Sequence, residues 1–153
     1  PIADAETIET ELMLADLESL EKRTNTLEKR ARGGDKEAIA TLRLVKVALD
    51  LLNAVAMREF GHLWQGYGRV QAICDWVQQR IVFESGSSTG TTSAAQTLES
   101  GKGVCRDFAH LMIALCRAVN IPARFTTGLD FGADPALGPP DFHAYVEAYL
   151  GGR

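Results

Sequence analysis

Residues 97–128 read TLESGKGVCRDFAHLMIALCRAVNIPARFTTG, and their pattern decides the fold. Phe108, Leu111, Met112, Leu115 and Val119 recur at helical spacing and predict a helix with one buried stripe. Gly101-Lys102-Gly103 forms a turn that leads straight into Val104-Cys105-Arg106-Asp107-Phe108. Ile121-Pro122 ends the helix, because proline disfavours helical geometry in the residue before it. Ala123–Leu129 then has the content of a strand, with Phe125 and the β-branched Thr126 and Thr127.

Downstream, a loop rich in Gly, Asp and Pro covers Asp130–Asp141. A second strand follows, alternating Phe142, Ala144, Val146, Ala148 and Leu150 on one face with His143, Tyr145, Glu147 and Tyr149 on the other. Upstream, Val70, Ile73, Val77 and Ile81, with Cys74 and Trp76 among them, predict a helix over 67–79. A polar Gly/Ser/Thr-rich loop from Ser85 to Ser93 and a short helix over Ala94–Glu99 connect it to the turn.

The first third of the chain has a different character. Before residue 57 there is no aromatic, cysteine or histidine, and four of the five lysines lie there. Asp4 can cap a helix in which Met13, Leu17, Leu20, Thr24, Leu27 and Ala31 form a seam. Gly33-Gly34 stops it, Asp35 caps a return helix, and Ala38, Leu42, Val45, Leu49, Leu52 and Ala56 repeat the seam. Two seams joined by so short a turn make an antiparallel helical hairpin. The expected organisation is α+β: a coiled-coil hairpin over 1–56, then a helix-plus-antiparallel-sheet core over 57–153. The mixed-sign charges of the hairpin read as a solvated face.

Cys105 is the residue most suited to chemistry. It begins a helix after a glycine-rich turn, where unsatisfied amides and the positive dipole end stabilise a thiolate. A small buried hydrophobe is the plain alternative for any lone cysteine, and it is the expectation for Cys74 and Cys116, which sit mid-helix beside apolar neighbours. His143 opens a strand after a loop, a place from which its ring can face a helix N-terminus. His110 lies about 140° round the helix from Cys105 and cannot easily reach that thiol, and His62 falls in a linker. Zinc is not expected, since the three cysteines are 31 and 11 residues apart with no C-x-x-C or H-x-x-x-H pair.

Composition narrows the classes. With 46% hydrophobic and 24% charged residues the chain has the make-up of a globular protein, and no apolar run is long enough for a membrane helix. A net charge of −4 argues against a nucleic-acid surface. An odd number of cysteines with no close pair suits a reducing compartment, so a cytoplasmic location is expected.

Two resemblances add to this reading. ETIETELMLADLESLEKRTNTLEKRARGGDKEAIATLRLVKVALDLLNA resembles the coiled-coil helical hairpin of the Obg-like GTPases of the YchF type, over roughly residues 2–54, through its TELxLADLE helix and GGDKEA turn. No G-x-x-x-x-G-K-[ST] phosphate loop accompanies it, so no GTPase activity is expected. TLESGKGVCRDFAHLMIALCRAVNIPARFTTG together with DFHAYVEAYLGG is similar to the transglutaminase-like superfamily, in particular its bacterial cysteine-protease-like members, over roughly residues 58–153. The resemblance implies a papain-like core with Cys105 as nucleophile, His143 as base and no cofactor.

Family members continue into a strand whose aspartate orients the histidine, and this chain stops at Arg153. Asp141 is too close in sequence to His143 for that role, and Asp107 reads as structural. Three expectations follow. One is an acyl-transfer or amide-hydrolysing thiol enzyme with an incomplete triad, acting weakly or not at all on a protein or peptide substrate. Another is a chimeric or artificial fragment without physiological activity. The last is a helical interaction module, self-associating through the hairpin or through an exposed sheet edge as a homo-oligomer.

Overall fold

In the computed structural model, described for residues 25–129 and 142–151, the chain divides into two compact units, Pro1–Ala48 and Leu49–Arg153. The division falls inside one helix. Residues 4–24 of the expected hairpin, the 130–141 loop and Asp141 lie outside the described residues.

In the first unit, helical residues 25–32 (α1) end where the sequence places the stop. Asp35 N–H donates to the Arg30 carbonyl at 3.2 Å and Gly34 N–H to the Ala31 carbonyl at 3.1 Å. This paired closure requires a left-handed residue, supplied by Gly34 at φ +84°. Asp35 then caps α2 (Lys36–Phe60): its Oδ1 accepts from the Glu37 and Ala38 amides at 3.1 and 3.2 Å, while Arg30 binds Oδ2 at 2.6 Å. The Ala38 amide and the Arg30 guanidinium together hold the Asp35 carboxyl below its ordinary range.

The second unit begins in the last turns of α2. Leu52, Val55, Ala56 and Phe60 belong to its hydrophobic core, so the final positions of the expected hairpin seam pack here. Next come α3 (Tyr67–Arg80), β1 (Val82–Phe83), α4 (Ala94–Ser100), β2 (Lys102–Gly103), α5 (Cys105–Ala118), β3 (Ala123–Leu129) and β4 (Phe142–Ala148). Helix α5 is the centre: it packs on α3 and α4 and also on β3 and β4. Leu111, Leu115 and Cys116 are wholly buried, with Ile73 of α3 equally so. Phe60 meets Trp76 edge-to-face with ring centroids 5.9 Å apart, closing the core beneath α3.

Strands β3 and β4 pair antiparallel, with Ala123 opposite Ala148, Phe125 opposite Val146 and Gly128 opposite His143. Regular pairing ends at Ala148, two residues short of the strand end read from the alternation. Three other expectations need correction. Gly101–Gly103 is more than a turn: Lys102 and Gly103 pair in parallel with Val82 and Phe83, a ladder too short to leave any periodicity in sequence. Helix α5 is closed by Asn120 at φ +60°, whose neighbour Ile121 donates back to the Cys116 carbonyl at 2.9 Å, so the stop precedes the proline. Cys74 is exposed, because it stands one residue, about 100° of helix rotation, from the buried Ile73.

Gly103 is buried and admits no side chain. A Cβ built there would lie 2.7 Å from the Cβ of Asp107, closer than carbon atoms can approach. Gly103→Ala is therefore expected to lower stability by about 2 kcal/mol, read as a fall in urea midpoint at unchanged slope. An unchanged midpoint would show that the turn can move aside.

Candidate active site

Cys105 is the first residue of α5 and is half-buried. Both backbone groups of the preceding residue are tied down. The Val104 carbonyl accepts from the amides of Asp107 and Phe108 at 2.8 and 3.2 Å, and the Val104 N–H donates to Asp107 Oδ2 at 2.8 Å. The reach of Asp107 back to the cap amide is one half of a capping box, and valine can supply no other half. Clamping that carbonyl fixes the peptide plane between Val104 and Cys105, so the first-turn amides point away from the helix body.

Asp107 is wholly buried. Its Oδ2 also accepts from the Ser88 hydroxyl, and Arg106 lies 3.3 Å from its Oδ1. Burial alone would raise this carboxyl, but bonds from Ser88, the Val104 amide and Arg106 outweigh it and hold the group below its ordinary value. The same Arg106 nitrogen donates to the Thr89 carbonyl at 2.8 Å and to Ser88 Oγ at 3.1 Å. The loop between β1 and α4 is thereby tethered to the two residues that follow Cys105. Neither Ser88 nor Arg106 stood out in the sequence. An Arg-Asp pair after a candidate nucleophile was the available signal, but its loop partner lies 19 residues upstream of Asp107.

His143 is half-buried at the second position of β4. It shares a ladder face with Thr126, Gly128, Tyr145 and Glu147, and the Tyr145 ring lies over Gly128. The opposite face carries Val146 and Ala148 against the core. Two contacts give the relative direction of α5 and β4. The His110 ring packs on Phe125, the partner of Val146, at 5.2 Å between centroids, and Arg117 Nε donates at 3.0 Å to the carbonyl of Ala123, the partner of Ala148. Helix and strand thus run the same way. Cys105 lies about 7.5 Å back along the helix from His110 and His143 about 10 Å back along the strand from Val146, so both stand at the same end of the packed pair, with His143 on the ladder face opposite the one that packs on α5.

The other candidates are occupied elsewhere. His110 is spent on Phe125, and burial, helped by the Arg106 charge, holds its imidazole below the ordinary value. Burial, with Cys74 adding to it, pushes the Cys116 thiol up to about 11, a poor nucleophile at neutral pH. Among the described residues no three His, Cys, Asp or Glu side chains are grouped to hold a metal ion, and no helix is long and apolar enough to cross a membrane.

Comparison with known proteins places this geometry. The profile of the transglutaminase-like superfamily matches residues 58–153, which includes α3 to α5 and both sheets. The chain belongs to the transglutaminase-like superfamily. A crystal structure from Cytophaga hutchinsonii, assigned as a cysteine protease, is similar with a TM-score of 0.61 and 50% sequence identity, covering 67% of this chain and 34% of that one. An uncharacterized protein of Mycobacterium leprae is 31% identical over 87 residues, 54% of this chain and 31% of its own length. A separate likeness is to the ribosome-binding ATPase YchF of Haemophilus influenzae, 48% identical over 62 residues, 40% of this chain and 17% of that protein. The chain thus spans less than a third of either curated relative's length.

Proposed function

We propose that this transglutaminase-like chain is a thiol acyl-transfer centre, acting on an amide of a protein or peptide, with Cys105 as nucleophile and His143 as base. The observation that carries the reading is the place of Cys105 at the first position of α5, where its own amide and that of Arg106 have no acceptor within the helix. Those amides and the positive end of the helix dipole can receive the oxygen of a carbonyl under attack. The thiolate would add to the carbonyl carbon, forming the C–S bond. The leaving amine would take its proton from the imidazolium as the C–N bond breaks. Water or a second amine, giving a proton back to the imidazole, would then cleave the thioester. Family membership supports the reading, as does the position of both residues at one end of packed elements.

The test is a small activated ester such as p-nitrophenyl acetate. Acetylation is expected on Cys105, followed by mass spectrometry of the peptide, with release to added amine and no adduct in Cys105→Ala. Equal acetylation of exposed Cys74 would count against the reading, since exposure alone would then account for it.

The YchF likeness favours a second reading of the chain's origin, in which a helical hairpin from one source is joined to the thiol domain of another. Cys105 acetylation at an equal rate after removal of residues 1–48 would fit that reading. A dependence on those residues would oppose it.

A further inference from the structure

We propose that Ser88 and Asp107 are positioning residues for the Cys105 thiol, acting through the Gly103–Val104 peptide that leads into it and the loop between β1 and α4. The inference rests on the acyl-transfer reading and assigns it a control that the thiol and imidazole alone do not have.

Asp107 Oδ2 receives two donors, the Val104 amide within the turn and the Ser88 hydroxyl from the loop. Arg106 spans the same gap through Ser88 Oγ and the Thr89 carbonyl. Within the loop, Ser87 donates to the Glu84 carbonyl at 2.7 Å, the Thr89 amide donates to Thr92 Oγ1 at 2.9 Å, and Ser93 begins α4 with a capping box. The loop is therefore shaped on its own and docked on α5 by residues 88 and 89. Gly103, which keeps the turn within van der Waals range of Asp107, completes the fit. Releasing Ser88 would free one side of the Asp107 carboxylate, and the Val104 amide, in the peptide just before that of Cys105, would lose its fixed acceptor.

Ser88→Ala tests this in the full chain, because Ser88 is part-buried and its loss removes no core volume. Alkylation of Cys105 by iodoacetamide at pH 7 is expected to slow by about tenfold, the rate equivalent of one strong hydrogen bond. Cys74 should react as before, and Ser88→Thr should restore the Cys105 rate to within about twofold. A purely structural Ser88 would alter the melting temperature without this selective, rescuable loss. An unchanged or faster Cys105 rate in Ser88→Ala overturns the inference. A second readout does not depend on thiol chemistry: amide exchange at Val104 is expected to quicken in Ser88→Ala, and unchanged exchange also overturns positioning. A wild-type Cys105 no faster than Cys74 would instead defeat the acyl-transfer reading, with positioning then judged by Val104 exchange.

Discussion

Replacing Asp107 by alanine is expected to destabilise the chain by about 3 kcal/mol or more, as removal of one member of a buried ionic cluster does. The carboxylate is wholly buried and takes bonds from the Val104 amide, the Ser88 hydroxyl and the Arg106 side chain. Alanine would leave the cap amide and the hydroxyl unsatisfied, beside an Arg106 whose Nε is already buried without a partner. Asp107→Asn keeps the shape but turns one acceptor into a donor, and should cost less. The two variants also separate charge from shape through pH. The folded-state pKa of Asp107 lies below its ordinary value of 3.8, so its stabilisation is present above that value. It is lost as pH falls through the folded pKa, because the unfolded chain takes up the proton first. Wild type should therefore lose stability at the acid end more steeply than Asp107→Asn when urea midpoints are compared from pH 5 down to pH 2. Parallel profiles would mean that the carboxylate charge contributes nothing there.

Truncation of Leu115 to alanine should have a similar cost, about 3 kcal/mol, from lost apolar burial plus the cavity left behind. Leu115 is fully buried in the helix that α3, α4, β3 and β4 all pack against, so the surroundings can collapse only partly. Its neighbour Cys116 offers an internal reporter. That thiol is buried and pushed up to about 11, so it should resist alkylation in the folded chain and react only on opening. A loss of 3 kcal/mol raises the open fraction by roughly a hundredfold, and Cys116 labelling in Leu115→Ala should rise accordingly. Labelling that stays at the wild-type rate would show that α5 is not the pivot of the core.

These expectations show which parts of the molecule the sequence discloses. Helices α3 and α5 and the β3–β4 pair follow from periodicity, since a buried stripe or an alternating face is written residue by residue in Phe108, Leu111 and Leu115 or in Ala144, Val146 and Ala148. The GGD turn was equally readable, because Gly34 and Asp35 each meet a local backbone demand. The β1–β2 ladder was not, since two residues carry no period. Nor was Asn120 as the stop of α5, because asparagine enters the left-handed region only when context requires it. Cys105 and His143 stood out through position and family resemblance. The setting of Cys105 did not: the Asp107 cluster joins a helix turn to a serine in a polar loop, and such pairings belong to tertiary structure. Cys74 shows the same limit, for a position one residue from the buried Ile73 turns to solvent.

The central claim is that Cys105 is the activated thiol of this transglutaminase-like domain. Site-resolved alkylation with iodoacetamide at pH 7 tests it most directly, with exposed Cys74 and buried Cys116 as references in the same chain. Cys105 is expected to react at least about tenfold faster than Cys74, and His143→Ala should remove that advantage. A Cys105 no faster than Cys74, or one indifferent to His143→Ala, would contradict the account.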